Sequence, residues 1–328
     1  MISGRLHFTA LALDPIHHGA GNVGNTSVLR KQDVILPDGK TARVPFISGN
    51  SIKHKIREAA ASFALQAMGV SGGLTKAQVD LLFSGGSLSK SGSSVNLSQA
   101  RQLEELFPVV GLCGYSAGNT MTASKLTVEH LHLVCAENQH RVHAELADEI
   151  GDALLSRRAG QYLGEDFGTR HENKNPAVQR FLTYEERKRI EGEKSKKKDE
   201  VHADKGDSLQ MIYEFETIRP GALFFGCIHF RDVSDMELAA LQSALGFACE
   251  GQTEDGRMIY TIGAKSSIGF GRVGIRWVGQ LRASLRPPEF TDADALTSFD
   301  KTERISAYVT HLRANKDAIL TAMTEALK

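Results

Sequence analysis

Leu209, Met211, Tyr213, Phe215 and Thr217 recur at every second position, interleaved with Gln210, Glu214 and Glu216, and only an extended strand places such a series on one side. Arg219-Pro220-Gly221 has turn chemistry, and Ala222 to Phe230 is apolar enough for a second strand, so the whole segment is expected to be a hairpin. Ser234-Asp235-Met236-Glu237 then has the pattern of a capping box and opens a helix through Leu238, Leu241 and Leu245. Strands are expected again around Ile259 and from Arg272 to Val278.

The N-terminal part supplies the complement. Arg5 to Leu13 sets Leu6, Phe8, Ala10 and Ala12 on one side of a strand, and a loop rich in glycine and histidine follows. After Val44-Pro45-Phe46-Ile47, the segment from Ser48 to Met68 carries Ile52, Ile56, Ala59, Phe63 and Ala67 at helical spacing, with Ser48 or Asn50 as cap. The order strand, helix, strand, strand, helix, strand is that of an α+β, ferredoxin-like βαββαβ core, the scaffold of RNA-recognition modules. Here it is interrupted between the first helix and the second strand by Gly69 to Ser208, too long to be a loop. The expected units are 1–68 and 209–280 as the two halves of the core, 69–208 as the insertion, and 281–328 as a C-terminal helical segment. Within the insertion, Lys125 to Cys135 reads as a strand with a bulge, Ser84 to Ser98 as a mobile Gly/Ser-rich stretch, and Glu185 to Asp207 as a solvated charged projection. A final amphipathic helix carries Ile305, Val309, Leu312, Ile319 and Met323.

Charge limits the function classes. With 39 basic and 39 acidic side chains among 328 residues, the chain is neutral, so any polyanion site is a local concentration of cations. Two exist: Arg30, Lys31, Lys40, Arg43, Lys53, Lys55 and Arg57 in one segment, and Lys265, Arg272, Arg276, Arg282 and Arg286 in another. No apolar run reaches the ~18 residues of a membrane span, and the expected compartment is the cytoplasm. Cys113, Cys135, Cys227 and Cys249 form no C-x-x-C pair, which excludes a disulfide framework or zinc ribbon.

Gly19 to Gly24 and Gly269 to Gly274 both match the dinucleotide fingerprint G-x-G-x-x-G, but neither opens a helix that could face a pyrophosphate. Gly263 to Arg272 nonetheless suits a phosphate cradle. Glycines allow close backbone approach, Lys265 and Arg272 supply charge, Ser266 and Ser267 supply hydroxyls, and Phe270 is either a base-stacking face or a core anchor. The helix from Ser48 is a second candidate: Lys53 and Arg57 lie one turn apart, with Asn50 and His54 beside them near the free amides of its N-terminus. The histidine pairs 17/18, 130/132 and 140/143 have ligand-like spacing without a Cys or carboxylate set nearby, so no metal, cofactor or catalytic triad is assigned.

Together these segments resemble the RAMP superfamily of CRISPR proteins, and within it the Cas-seven-like backbone subunits. Val44-Pro45-Phe46-Ile47-Ser48-Gly49-Asn50-Ser51-Ile52-Lys53-His54-Lys55-Ile56-Arg57 is similar to the family's motif at the start of its first helix. Gly263 to Val273 is similar to its glycine-rich loop, and Pro15 to Arg30 to its early loop. Ile16-His17-His18-Gly19 and Ile47-Ser48-Gly49-Asn50-Ser51 look most like the type IV form, with type III the nearest competitor. The resemblance implies finger and thumb elements in the insertion and a filament of copies along a CRISPR guide RNA (crRNA). It also implies partnership with other effector subunits and a target nucleic acid read by base pairing. His17, His18, Asn22, Arg30 and Lys31 of the early loop would join Ser48, Asn50, Lys53, His54 and Arg57, and the glycine-loop residues, in contacting RNA.

One departure bears on activity. Type III subunits cleave target RNA with an early-loop aspartate, and counting back from Arg30 places Asn25 there, an amide that cannot act as a base. No target cleavage is expected. A type III-like endoribonuclease using Asp14 or Asp33 is the alternative, with a dinucleotide-dependent enzyme behind it.

Overall fold

The computed structural model describes residues 1–86, 97–171, 183–185, 188, 210–278 and 303–327. In chain order, β1 (Ile2–Ala12) is followed by β2 (Gly19–Val23), β3 (Thr26–Leu29), β4 (Lys31–Ile35), β5 (Thr41–Ile47) and the helix α1 (Gly49–Ala67). Then come α2 (Lys76–Ser84), α3 (Leu97–Leu106), α4 (Pro108–Cys113), and the short strands β6 (Tyr115–Ala117), β7 (Thr120–Thr122), β8 (Leu126–Val128) and β9 (Leu131–Leu133). After several short helices the chain forms β10 (Leu163–His171), β11 (Gln210–Ile218), β12 (Leu223–Val233), the helix Asp235–Phe247, β13 (Gly251–Gln252), β14 (Met258–Thr261) and β15 (Arg272–Val278).

The molecule is a mixed α and β protein built on antiparallel pairing. Its main sheet runs β13-β14-β15-β1-β12-β9-β5-β4, with β8 also on β12. Alternation in β1 decides the layering: Leu6, Phe8, Ala10 and Ala12 are buried together with α1 and the helix Asp235–Phe247, through Ile56, Ala59, Leu241 and Ala244. His7 and Thr9 point the other way and are equally buried. That side is covered by residues 134–155, where Val134, Leu146 and Ile150 pack on Leu223 and Phe225.

The expected hairpin over 209–230 does not form. Both segments are strands, but β11 pairs with β10 from Leu163↔Ile218 to His171↔Gln210, and with β3, in a separate sheet of order β10-β11-β3-β2. Arg219-Pro220-Gly221 does turn, with Ala222 N donating to Arg219 O, but it hands the chain from one sheet to the other. Both edges of β12 are occupied, one by β1 and the other by β8 and β9. The strand beside β12 therefore comes from 126–133, with the break at Glu129 and His130 that the bulge expectation called for.

The helix from Ser48 is present, and Ser234 and Glu237 make both bonds of the capping box. The glycine-rich early loop is instead largely the β2–β3 hairpin. The C-terminal helix is two, Glu303–Ala314 and Lys316–Ala326, because Asn315 leaves helical geometry and bonds back to His311; Tyr308, Leu312, Ile319 and Met323 bury them, while Ile305 and Val309 are only half-buried. Cys113, Cys135 and Cys227 are buried free thiols and Cys249 is partly exposed. Most of 84–98 and 185–207 lies outside the described residues. No helix among those described is long and apolar enough to cross a membrane.

Candidate nucleic-acid interface

Four residues between β1 and β2 tie the three motif segments together. Pro15 O accepts from Gly271 N at 2.9 Å and His17 O from Ala264 N at 2.8 Å, which holds the glycine-rich loop against the early segment. Gly263 is required in that contact: its φ is +78°, and a Cβ would come within 2.8 Å of His17 O. The buried His17 ring is fixed in turn by Glu216 O at 2.7 Å from Nδ1 and Ser27 Oγ at 3.2 Å from Nε2.

His18 turns towards α1, and its Nε2 accepts from Ser48 N at 3.1 Å. His130, from the break between β8 and β9, accepts from Gly49 N through Nδ1 at 3.0 Å. The helix N-terminus that sequence reasoning left with free amides is therefore capped, at its first two, by two imidazoles. A neutral ring is needed to accept, and burial, reinforced by the charge of Arg30, pushes the His18 pKa down to about 4. Gly49 is forced by the same packing, since a Cβ there would overlap the carbonyl oxygens of Val128 and Glu129.

The cations are not equivalent. Lys31 is committed to Glu216 at 2.9 Å, Glu216 also accepts from Leu29 N at 2.8 Å, and Arg272 pairs with Asp14 at 2.6 Å. Arg57 is committed too: its Nη2 donates to the carbonyls of Cys113 and Gly114, both at 2.7 Å, pinning the end of α4. Lys53, one turn earlier, has no carboxylate partner among the described residues; burial, with the nearby Arg57 charge, lowers its pKa. Arg30 is exposed beside His18, joined by Arg30 N to His18 O at 2.8 Å, and Asn50 and His54 are exposed on the first turns of α1.

Lys265 occupies the left-handed region, φ 65°, and starts the single turn Ser266–Ile268. Its ammonium lies 4.3 Å from the Phe215 ring centre and 5.2 Å from that of Tyr213, so the glycine loop leans on β11. Ser266 and Ser267 are exposed. Of the two roles considered for Phe270, core anchor fits: it is 7% exposed, with its ring 5.4 Å from Phe215. Asn22 and Asn25 are exposed on the β2–β3 hairpin. Between α1 and the glycine loop opens a cleft of about 630 Å³ with an apolar floor of Phe8, Leu131, Ile228 and Trp277, and Lys55, Glu58, Ser266 and Arg272 among its polar lining.

Comparison with known proteins bears on this arrangement. The model of the family described as "RAMPs: RAMP superfamily" matches residues 9–274. The chain belongs to the RAMP superfamily. Among solved structures, a chain from "Type IV-B CRISPR Complex" aligns with a TM-score of 0.54 and 17% identity, covering 91% of this chain and 100% of that one. Csc2 of Thermofilum pendens aligns with a TM-score of 0.38 and 11% identity, covering 99% of this chain and 81% of Csc2. No curated protein matches the chain. This RAMP protein shares its fold with the first of these; of the residues that hold its motifs in place, His130 stands out in sequence only by the ligand-like spacing of the 130/132 pair, and Glu216 only as a polar position of a strand. His130 sits in the anticipated bulge, whereas nothing local to Glu216 distinguishes it from its neighbour Glu214.

Proposed function

We propose that this RAMP protein is a crRNA-binding backbone subunit of a type IV-like CRISPR ribonucleoprotein, copies of which assemble side by side along the guide. The observation that carries the reading is the joint at Pro15 to His18, to which the glycine loop, the early hairpin and the start of α1 are all hydrogen-bonded. It brings Arg30, Asn50, Lys53 and His54 on one side, and Lys265, Ser266 and Ser267 on the other, onto segments fixed to a single short stretch. Arg30, Lys53 and Lys265 lack carboxylate partners among the described residues, which suits groups awaiting phosphate. Such contacts grip any sequence, as a coat over arbitrary guides must, and leave sequence reading to base pairing. His17, Lys31, Arg57, Phe270 and Arg272 act mainly by holding the frame.

The sheet order β15-β1-β12-β9, with α1 and the helix Asp235–Phe247 packed together on one face, supports a ferredoxin-like core in which 126–133 supplies the second strand. On that reading 1–68 and 209–280 remain the core halves, 69–208 the finger and thumb region that lends one strand back, and 281–328 the C-terminal segment. The similarity to a chain of a type IV-B complex favours partnership with other effector subunits, and a target strand would then be met through base pairing to the guide. On this reading the subunit does not cut that target: Asn25 is an amide, the Asp14 carboxylate is engaged by Arg272 at 2.6 Å, and Asp33 lies 3.7 Å from the Arg43 guanidinium. Both G-x-G-x-x-G runs overlap strands, β2 and β15, which argues against a dinucleotide enzyme.

The test is expression of the full chain with and without a repeat array, followed by extraction of the bound nucleic acid. Small RNAs of uniform register, present only with the array and lost in Lys53→Gln with Lys265→Gln, are expected. Recovery of no RNA, or cleavage of a complementary RNA abolished by replacing Asp14 or Asp33, would refute the reading.

A further inference from the structure

On the face of the main sheet away from α1, six metal-competent side chains converge that the proposed RNA interface does not use. His7 comes from β1, Cys227 and His229 from β12, and Glu129 from the break between β8 and β9. His143 and Glu145 come from the covering segment. One ligand atom each from His7, His143 and Glu145 lie within 4.8 Å of one another, as do those of Glu129, Cys227 and His229.

The two trios are not alike. Both carboxylate oxygens of Glu129 are already occupied, by His229 Nε2 at 2.6 Å and His143 Nε2 at 3.0 Å. His7 is the opposite case. It is 4% exposed, its Nδ1 is buried without a partner, and its Nε2 has only Glu145 at 3.8 Å and the Cys227 sulfur at 4.0 Å. A buried imidazole with neither nitrogen in a normal hydrogen bond is costly and calls for an acceptor of its lone pair. Its ring also stands edge-on to that of His143, with centres 4.8 Å apart.

We propose that His7, His143 and Glu145 bind a divalent transition-metal ion, Zn²⁺ by preference, with Glu129 orienting His143 from the second layer. Two imidazoles and one carboxylate form a borderline-soft nitrogen and oxygen donor set that zinc favours and magnesium or calcium does not. Zinc bonds to such ligands at about 2.0–2.2 Å, so each donor atom needs to move by less than about 1 Å to converge. A histidine held by a carboxylate while it faces a metal is the usual supporting arrangement. The ion would staple the covering segment to β1. A cavity of about 880 Å³, lined by His7, Glu145, His229 and the cations Arg5, Lys125 and Arg231, gives it a route in.

The experiment uses the untagged full chain, stripped with chelator, desalted and titrated with Zn²⁺ in a calorimeter, with bound zinc counted by atomic emission. One zinc per chain and a thermal midpoint raised by several degrees are expected. His143→Ala with Glu145→Gln should weaken uptake at least tenfold, while His140→Ala, an exposed histidine outside the trio, should leave it unchanged. Absence of stoichiometric uptake would overturn the proposal, as would equal uptake by the double variant with an unaltered circular dichroism spectrum. Co²⁺ substitution should give visible d–d bands without thiolate charge transfer; an intense near-ultraviolet thiolate band would move the site to Cys227 and overturn the ligand assignment.

Discussion

His18 accepts the amide hydrogen of Ser48 through Nε2 at 3.1 Å, so the early segment is fastened to the start of α1 only while that imidazole is neutral. His132 is placed similarly, with Gln32 Nε2 3.2 Å and Arg141 Nη1 3.4 Å from its Nδ1, and burial, then the Arg141 charge, push its pKa to about 4 as well. Both folded values lie below the ~6.5 of an unfolded histidine. Their contribution to stability is therefore complete above about pH 6.5 and declines as the pH falls towards 4. Urea unfolding at pH 7.5, 5.5 and 4.5 should show a loss on the order of 1–3 kcal/mol, and His18→Ala should flatten that dependence while lowering stability at pH 7.5.

Gly49 is the tightest point of that junction, because the two oxygens a Cβ would meet belong to backbone and cannot rotate away. Gly49→Ala should cost about 2–4 kcal/mol in urea unfolding, from overpacking and from separation of α1 from β8. Gly72→Ala, where nothing lies within 4 Å of the added carbon, should change stability by less than about 0.5 kcal/mol.

The contrast between these glycines shows what the sequence could and could not disclose. Periodicity identified β1, α1, β11, β12 and the capped helix after Ser234, since alternation and helical spacing are local. It misassigned the partner of β12, because apolar runs at 126–133 and 209–218 are equally suited to pair with it. The choice rests on β10, which lies in the long insertion and offers β11 a full-length ladder of its own. At the proposed interface, residue types were legible and commitments were not: Arg57 and Lys53 look interchangeable in sequence, yet only the position of α4 gives Arg57 two carbonyls to bind.

Glu237 closes the capping box by accepting from Ser234 N at 2.8 Å, and also takes Lys125 Nζ at 2.7 and 2.8 Å. Being 4% exposed, it cannot be removed without stranding both donors. Glu237→Ala should lose about 3 kcal/mol or more in urea unfolding. Lys125→Met with Glu237→Gln should recover part of this loss, because the buried charge is removed on both sides.

Arg57 and Lys265 offer the sharpest separation of frame from contact. Arg57→Ala orphans the carbonyls of Cys113 and Gly114, so it should lower stability by about 1–3 kcal/mol and reduce RNA binding only as far as the fold is lost. The Lys265 ammonium makes no hydrogen bond or ion pair among the described residues, and its ring contacts are weak and partly exposed. Lys265→Gln should therefore keep the unfolding midpoint nearly unchanged. If its ammonium reaches a guide phosphate, the slope of log binding constant against log salt should become shallower by about 0.7, the value for one contact to a single strand. An unchanged slope would place the guide elsewhere, because a cation contacting a phosphate displaces its counterion whatever else holds the RNA.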